Sequence, residues 1–166
     1  NFKTASYLVD YHANGHSNAA PDDVYVNHGD KALVPTPPTP NDEFTFAGWY
    51  TENTCINKYD FNTPVTAELH LYAKWVYVAI HSNIKNSNWE TNKFTISGDY
   101  TTATCTFNEV TAGSYEFGMR INATDNWTSN GTSITRQNNT MTVASGTGNN
   151  KFAADELGDY IFTYNL

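Results

Sequence analysis

At 166 residues with a net charge of −8, the chain has room for one large domain or two small ones and lacks the cationic excess that phosphate neutralisation needs. Nucleic acid and anionic membrane surfaces are therefore excluded as expected partners. Charged residues make up only 16% while aromatic residues reach 14%, which favours a folded chain because each Tyr, Phe or Trp buries a large area.

The many Asn, Thr and Ser residues compete with helical hydrogen bonding and suit strands and turns, so almost no helix is expected. The stretch ASYLVDYHA (5–13) is strand-like and stops at the turn signal Asn14-Gly15. Two short apolar runs follow around Asn27-His28-Gly29-Asp30. The segment PTPPTP (35–40) must be extended, because successive prolines fix φ and remove amide donors. FTFAGWY (44–50) and ELHLYAKWVYVAIHS (68–82) are the next strands. In the second, Leu69, Leu71, Ala73 and Trp75 share one face by period two.

From Tyr77 the character changes to a proline-free strand–turn rhythm. Strands are expected at 77–82, 92–97, 102–107, 114–121, 132–137, 140–145, 150–155 and 159–165. Eight short strands with turns between them indicate a β-sandwich. Tyr115, Phe117, Met119 and Ile121 form an inner row against an outer row of Glu116, Gly118, Arg120 and Asn122. Ala103, Cys105 and Phe107 form a second inner row, and Tyr160, Phe162 and Tyr164 a third. The expected organisation is a first domain over 1–76 and a second over 77–166.

The two cysteines, Cys55 and Cys105, read as unpaired buried thiols, with a disulfide between the two halves as the minority alternative. His12 and His16 flank a turn-like ANG sequence, where i and i+4 have no fixed facing geometry, so no metal site is expected. No cofactor is expected either. The acidic neighbours Asp22-Asp23, Asp42-Glu43 and Asp155-Glu156 point to opposite faces of an extended chain and cannot act as the facing carboxylates of a glycosidase. Nothing assembles a nucleophile, and a non-catalytic protein is expected. Asn-x-Thr triplets begin at Asn122, Asn126, Asn130 and Asn138 and are read as chance products of an Asn/Thr-rich region rather than glycosylation sites. No apolar run reaches the roughly 20 residues of a membrane span, so membrane insertion is not expected.

Residues 8–75 carry VDYHANG, VNHGDKALVPTPPTP and FTFAGWYTENTCINKYDFNTPVTAELHLYAKW. This combination of F-x-G-W-Y, Y-D-F-N-T-P-V and L-x-L-Y-A-K-W resembles the Listeria–Bacteroides repeat of bacterial surface proteins. The resemblance implies a small β-grasp-like fold with no catalytic residues. Its usual aromatic positions are filled here by Phe46, Trp49, Tyr50, Tyr59, Phe61, Tyr72 and Trp75. Residues 77–166 carry Asn88-Trp89, T-A-G-S-Y-E-F (111–117), N-W-x-x-N-G (126–131) and L-G-D-Y-I-F-T-Y-N (157–165). These resemble the starch-binding β-sandwiches of the SusE/SusF and pullulanase-associated kind. Gly118 departs from that pattern at a position that is often basic, with Arg120 two residues on as a substitute.

The resulting expectation is a mainly all-β chain, a β-grasp-like repeat followed by an antiparallel β-sandwich of immunoglobulin-like, carbohydrate-binding type. A sugar site needs rings for the CH face and polar groups for the hydroxyls. Trp127, among Asp125, Asn126 and Asn130, serves equally as an exposed platform or as a lid folded over the sandwich end, and the resemblance favours the platform. Trp89 is the second candidate ring, and Arg120 the candidate donor to glucose hydroxyls. The expected ligand is starch or malto-oligosaccharide, held by a monomeric, extracellular fragment of a larger multidomain protein or complex at the bacterial surface. The abrupt start at Asn1 fits such a fragment. A surface adhesin or stalk without a glycan site is the alternative.

Overall fold

The computed structural model describes residues 4–86, 88–122, 132–136, 139–142 and 149–166. The chain divides into two compact units, Asn1–Val76 and Tyr77–Leu166. Among the described residues both are built of strands, with a single 3-10 turn at Ile84–Asn86.

The first unit contains β1 (Ser6–His12), β2 (Val24–Asn27), β3 (Thr45–Tyr50) and β4 (Leu69–Val76), arranged in the order β2-β1-β4-β3. The central pair β1–β4 is parallel and the flanking pairs are antiparallel, the β-grasp-like connectivity expected. Period two sends Val9 and Tyr11 of β1, and Leu71, Ala73 and Trp75 of β4, into the core. Asp10, His12, His70 and Tyr72 occupy the opposite face.

The F-x-G-W-Y sequence has a specific geometric role. Phe46 and Trp49 are three residues apart, so an uninterrupted strand would point them to opposite faces. A register shift between them, with Gly48 at φ 106°, is a β-bulge that turns both rings into the core. Phe46 and Trp49 meet edge to face at 5.3 Å, Tyr11 meets Trp49 at 5.1 Å, and Phe46 meets Trp75 at 5.9 Å. Trp75 donates its Nε1–H to the Ala13 carbonyl at 2.7 Å.

The second unit contains β5 (Val78–Ser82), β6 (Glu90–Lys93), β7 (Thr95–Ile96), β8 (Thr102–Val110), β9 (Gly113–Ile121), β10 (Thr132–Arg136), β11 (Asn139–Thr142), β12 (Asn150–Ala154) and β13 (Gly158–Asn165). They form a five-stranded sheet, β11-β10-β13-β8-β7, and a four-stranded sheet, β12-β9-β5-β6, as a β-sandwich should. The expected single strand over 92–97 is two. Its first half pairs with β5 and its second with β8, in different sheets. Phe94, 4% exposed, sits at the crossover, and its backbone N–H still donates to the Val78 carbonyl at 2.8 Å.

The core gathers the alternating rows read from the sequence. Phe117, Met119, Ala103 and Phe162 are fully buried, Phe107 and Tyr160 nearly so, and Tyr115, Ile121, Cys105 and Tyr164 pack at its margin. Phe162 makes edge-to-face contacts with Phe107, Phe117 and Phe152 at 5.5, 5.2 and 5.7 Å. Such pairs add to the burial of area alone.

Candidate functional site

The outer face of the four-stranded sheet carries the candidate site. In β5, Val78 and Ile80 point inward, so Ala79 and His81 point outward. Register places His81 opposite Gly118 of β9 and opposite Thr91 of β6, and Ala79 opposite Arg120. Asn150 of β12 pairs with Phe117, which brings Asn149 beside Gly118. His81, Gly118 and Asn149 thus lie in a row across three strands, and Gly118, having no side chain, forms a floor between the other two. Trp89 enters from the β5–β6 connection with its ring 5.3 Å from His81 at an interplanar angle of 32°. These four residues line a cleft of about 260 Å³.

Trp89 has φ 53°, a left-handed conformation that costs a bulky L-residue about 1 kcal/mol or more. Backbone strain of this kind, at a half-exposed ring beside a cleft, is characteristic of sites where a side chain must be aimed. The polar surroundings are ordered. His81 Nδ1 lies 3.3 Å from Thr91 Oγ1, and Asn149 Nδ2 donates to Glu116 Oε2 at 3.3 Å. Partial burial, and then the nearby Arg120 charge, lower the His81 pKa below its ordinary 6.5. The imidazole is therefore neutral at pH 7, with one nitrogen a donor and the other an acceptor. A hydrogen-bonding rim beside an aromatic ring suits a neutral, hydroxyl-rich ligand.

Of the residues expected from sequence, Trp89 lies in this cleft and Arg120 lies on the same sheet face, one diagonal step from His81. Asp125, Asn126, Trp127 and Asn130 fall outside the described residues. The sequence reading missed His81 and Asn149. His81 was detectable as the polar, outward member of VAIHS, but Asn149 joins it only through the β9–β12 pairing. Asn122, first of the Asn-x-Thr triplets, is occupied structurally: its Oδ1 accepts from Tyr77 N–H at 3.0 Å, and its own N–H donates to the Tyr77 carbonyl at 2.7 Å.

In the first unit, the bulge at Gly48 and the ring cluster around Trp49 and Trp75 account for the spacing of its aromatic motifs. Residues 7–74 match the Listeria-Bacteroides repeat domain. No curated protein matches the chain. The Listeria-Bacteroides repeat is a non-catalytic family typical of bacterial surface proteins. Trp49 and Trp75, only 3% and 8% exposed, form part of the repeat's own core, as read from sequence. No helix among the described residues is long and apolar enough to cross a membrane.

The other groups weighed for chemistry in the repeat have local duties. His16 Nδ1 pairs with Asp42 Oδ2 at 2.6 Å and its ring stacks on Phe44 at 3.9 Å. Asp23 accepts from the Tyr11 backbone N–H at 3.2 Å. In the second unit Asp155 accepts from the Tyr160 hydroxyl at 3.1 Å. Cys55 and Cys105 are both free thiols, and burial pushes the Cys105 thiol up to about 11.

Proposed function

We propose that the second unit is a non-catalytic glycan-binding module for starch or malto-oligosaccharides, displayed on an extracellular bacterial protein whose repeat domain acts as a spacer. The observation that carries this reading is the half-exposed Trp89 ring, held in a strained backbone over a cleft with a glycine floor and polar ends. One glucose ring would stack on the indole. His81, Asn149 and Arg120 would bond its hydroxyls. Trp127, with Asp125, Asn126 and Asn130, is assigned as the second contact region, since a curved α-glucan is best held by two rings set at an angle. Affinity for short sugars is weak in this reading, because few contacts must offset the ordering of a flexible chain.

An adhesin or stalk role competes, and a specific feature of the repeat favours it. Val24, Tyr25, Leu33 and Val34 are exposed together by 39% to 85%, an apolar surface suited to another protein. Native electrophoresis in amylopectin separates the two readings. The wild type should be slowed relative to a plain gel, and Trp89→Ala and Trp127→Ala should each run faster than wild type. If no retardation occurs and titration with maltoheptaose is flat, the α-glucan reading fails. Retardation only by a β-glucan or a mucin would keep the cleft and replace the ligand.

A further inference from the structure

The solvent-facing side of the repeat sheet brings together three metal-ligating residues. The parallel register of β1 and β4 sets Asp10 beside His70 and His12 beside Tyr72, although Asp10 and His70 are 60 residues apart in sequence. His70 Nδ1 lies 2.7 Å from Asp10 Oδ1, and His12 Nε2 lies 3.4 Å from Asp10 Oδ2. One ligand atom from each of the three falls within 4.8 Å of the others. His12 is oriented by stacking on Tyr72, with centroids 4.5 Å apart and planes 15° from parallel. Its Nε2 is shielded from solvent and has no hydrogen-bond partner among the described residues. A shielded imidazole nitrogen aimed at a carboxylate without bonding it is an orphaned polar atom that needs a partner.

We propose that Asp10, His12 and His70 form a binding site for a divalent transition metal ion, with Zn²⁺ the best match. Two imidazoles and one carboxylate are a borderline donor set that suits Zn²⁺, Cu²⁺ and Ni²⁺ rather than Ca²⁺ or Mg²⁺, which prefer oxygen ligands. The spacing fits. Bonds of roughly 2.1 Å at tetrahedral angles separate ligand atoms by about 3.4 Å, which matches the His12–Asp10 distance. On the other side, the cation takes the place of the proton between Asp10 and His70, and that 2.7 Å contact must widen by about 0.7 Å. Three protein ligands on an exposed face leave the fourth position to water, and half-exposed His70 leaves a path of entry. The pairing of the strands thus assembles a site that neither histidine signals in the sequence.

The test is titration of the tag-free chain with Zn²⁺ by isothermal calorimetry. One equivalent should bind, and His70→Ala, His12→Ala and Asp10→Asn should each weaken binding by more than about tenfold, since even outer-shell losses cost that much. His16→Ala, which removes a histidine held by Asp42 and Phe44 away from this cluster, should leave binding unchanged, and Ca²⁺ should give no heat. Absence of Zn²⁺ binding, or equal binding in all variants, overturns the proposal. Should a variant fail to fold, electron paramagnetic resonance of Cu²⁺ bound to the wild type decides. Hyperfine coupling to two imidazole nitrogens supports the site, and fewer than two overturns it.

Discussion

At the scale of single residues, conformation and function separate most cleanly at Trp89. Its left-handed backbone favours glycine, whereas its ring lines the cleft. Trp89→Gly and Trp89→Ala both delete the ring, but only alanine keeps the strain. Both variants are expected to lose retardation in amylopectin, with Trp89→Gly more stable than Trp89→Ala by about 1 kcal/mol in urea unfolding. Asp99 shows a different economy of atoms. It accepts from Ser97 Oγ at 2.6 Å, from Thr101 Oγ1 at 2.8 Å and from Thr101 N–H at 3.1 Å. These bonds favour the charged form and hold its pKa at about 2, below the ordinary 3.8. The depressed value means that its stabilisation is present above pH 3.8 and is lost as pH falls through about 2. The melting-temperature advantage of wild type over Asp99→Ala is therefore expected at neutral pH and should vanish at the acid end of that window.

At the scale of elements, the sequence was legible where one rule sufficed. Period two identified the inner rows of β9 and β13, because each strand has one face on the core and one in solvent. It also placed Trp75 inside, whereas Trp49 reads as core from the repeat resemblance and reaches it through the bulge at Gly48. The rule failed over 92–97, where Asn92, Phe94 and Ile96 alternate without a break and yet the chain leaves one sheet for the other at Phe94. No local signal marks such a crossing, since both sheets bury the same face of the segment. Site assembly was less legible still. Trp89 and Arg120 were readable as an aromatic and a cation in polar settings, but Asn149 and His81 meet only through pairing between β12, β9 and β5. The bulge in β3 gives an element-level prediction. Gly48→Ala forces a side chain onto φ 106° and should destabilise the repeat by more than about 1 kcal/mol, seen as a lower urea midpoint. Far-UV circular dichroism of the folded variant should remain that of a β protein.

At the scale of the whole molecule, charge constrains the mode of binding more than its location. With 17 acidic and 9 basic residues, the chain would repel anionic polymers and gain nothing by electrostatic steering toward a neutral one. Glycan affinity should accordingly be the same at about 0.05 M and about 0.5 M NaCl, because screening acts only on charged partners. A marked fall in amylopectin retardation with salt would point instead to a charged glycan.

The parallel pairing of β1 with β4 also bears on load. β1 begins the repeat's sheet and β4 ends it, and the two run in the same direction. Tension applied at Ser6 and Val76 therefore pulls the strands past each other along their length. The rungs from Val9–Leu69 to His12–Tyr72 are then strained together rather than opened one after another. An antiparallel arrangement of the same strands would unzip. In a single-molecule pulling experiment the repeat should yield at a distinct force peak, the behaviour of a clasp rather than a slack tether.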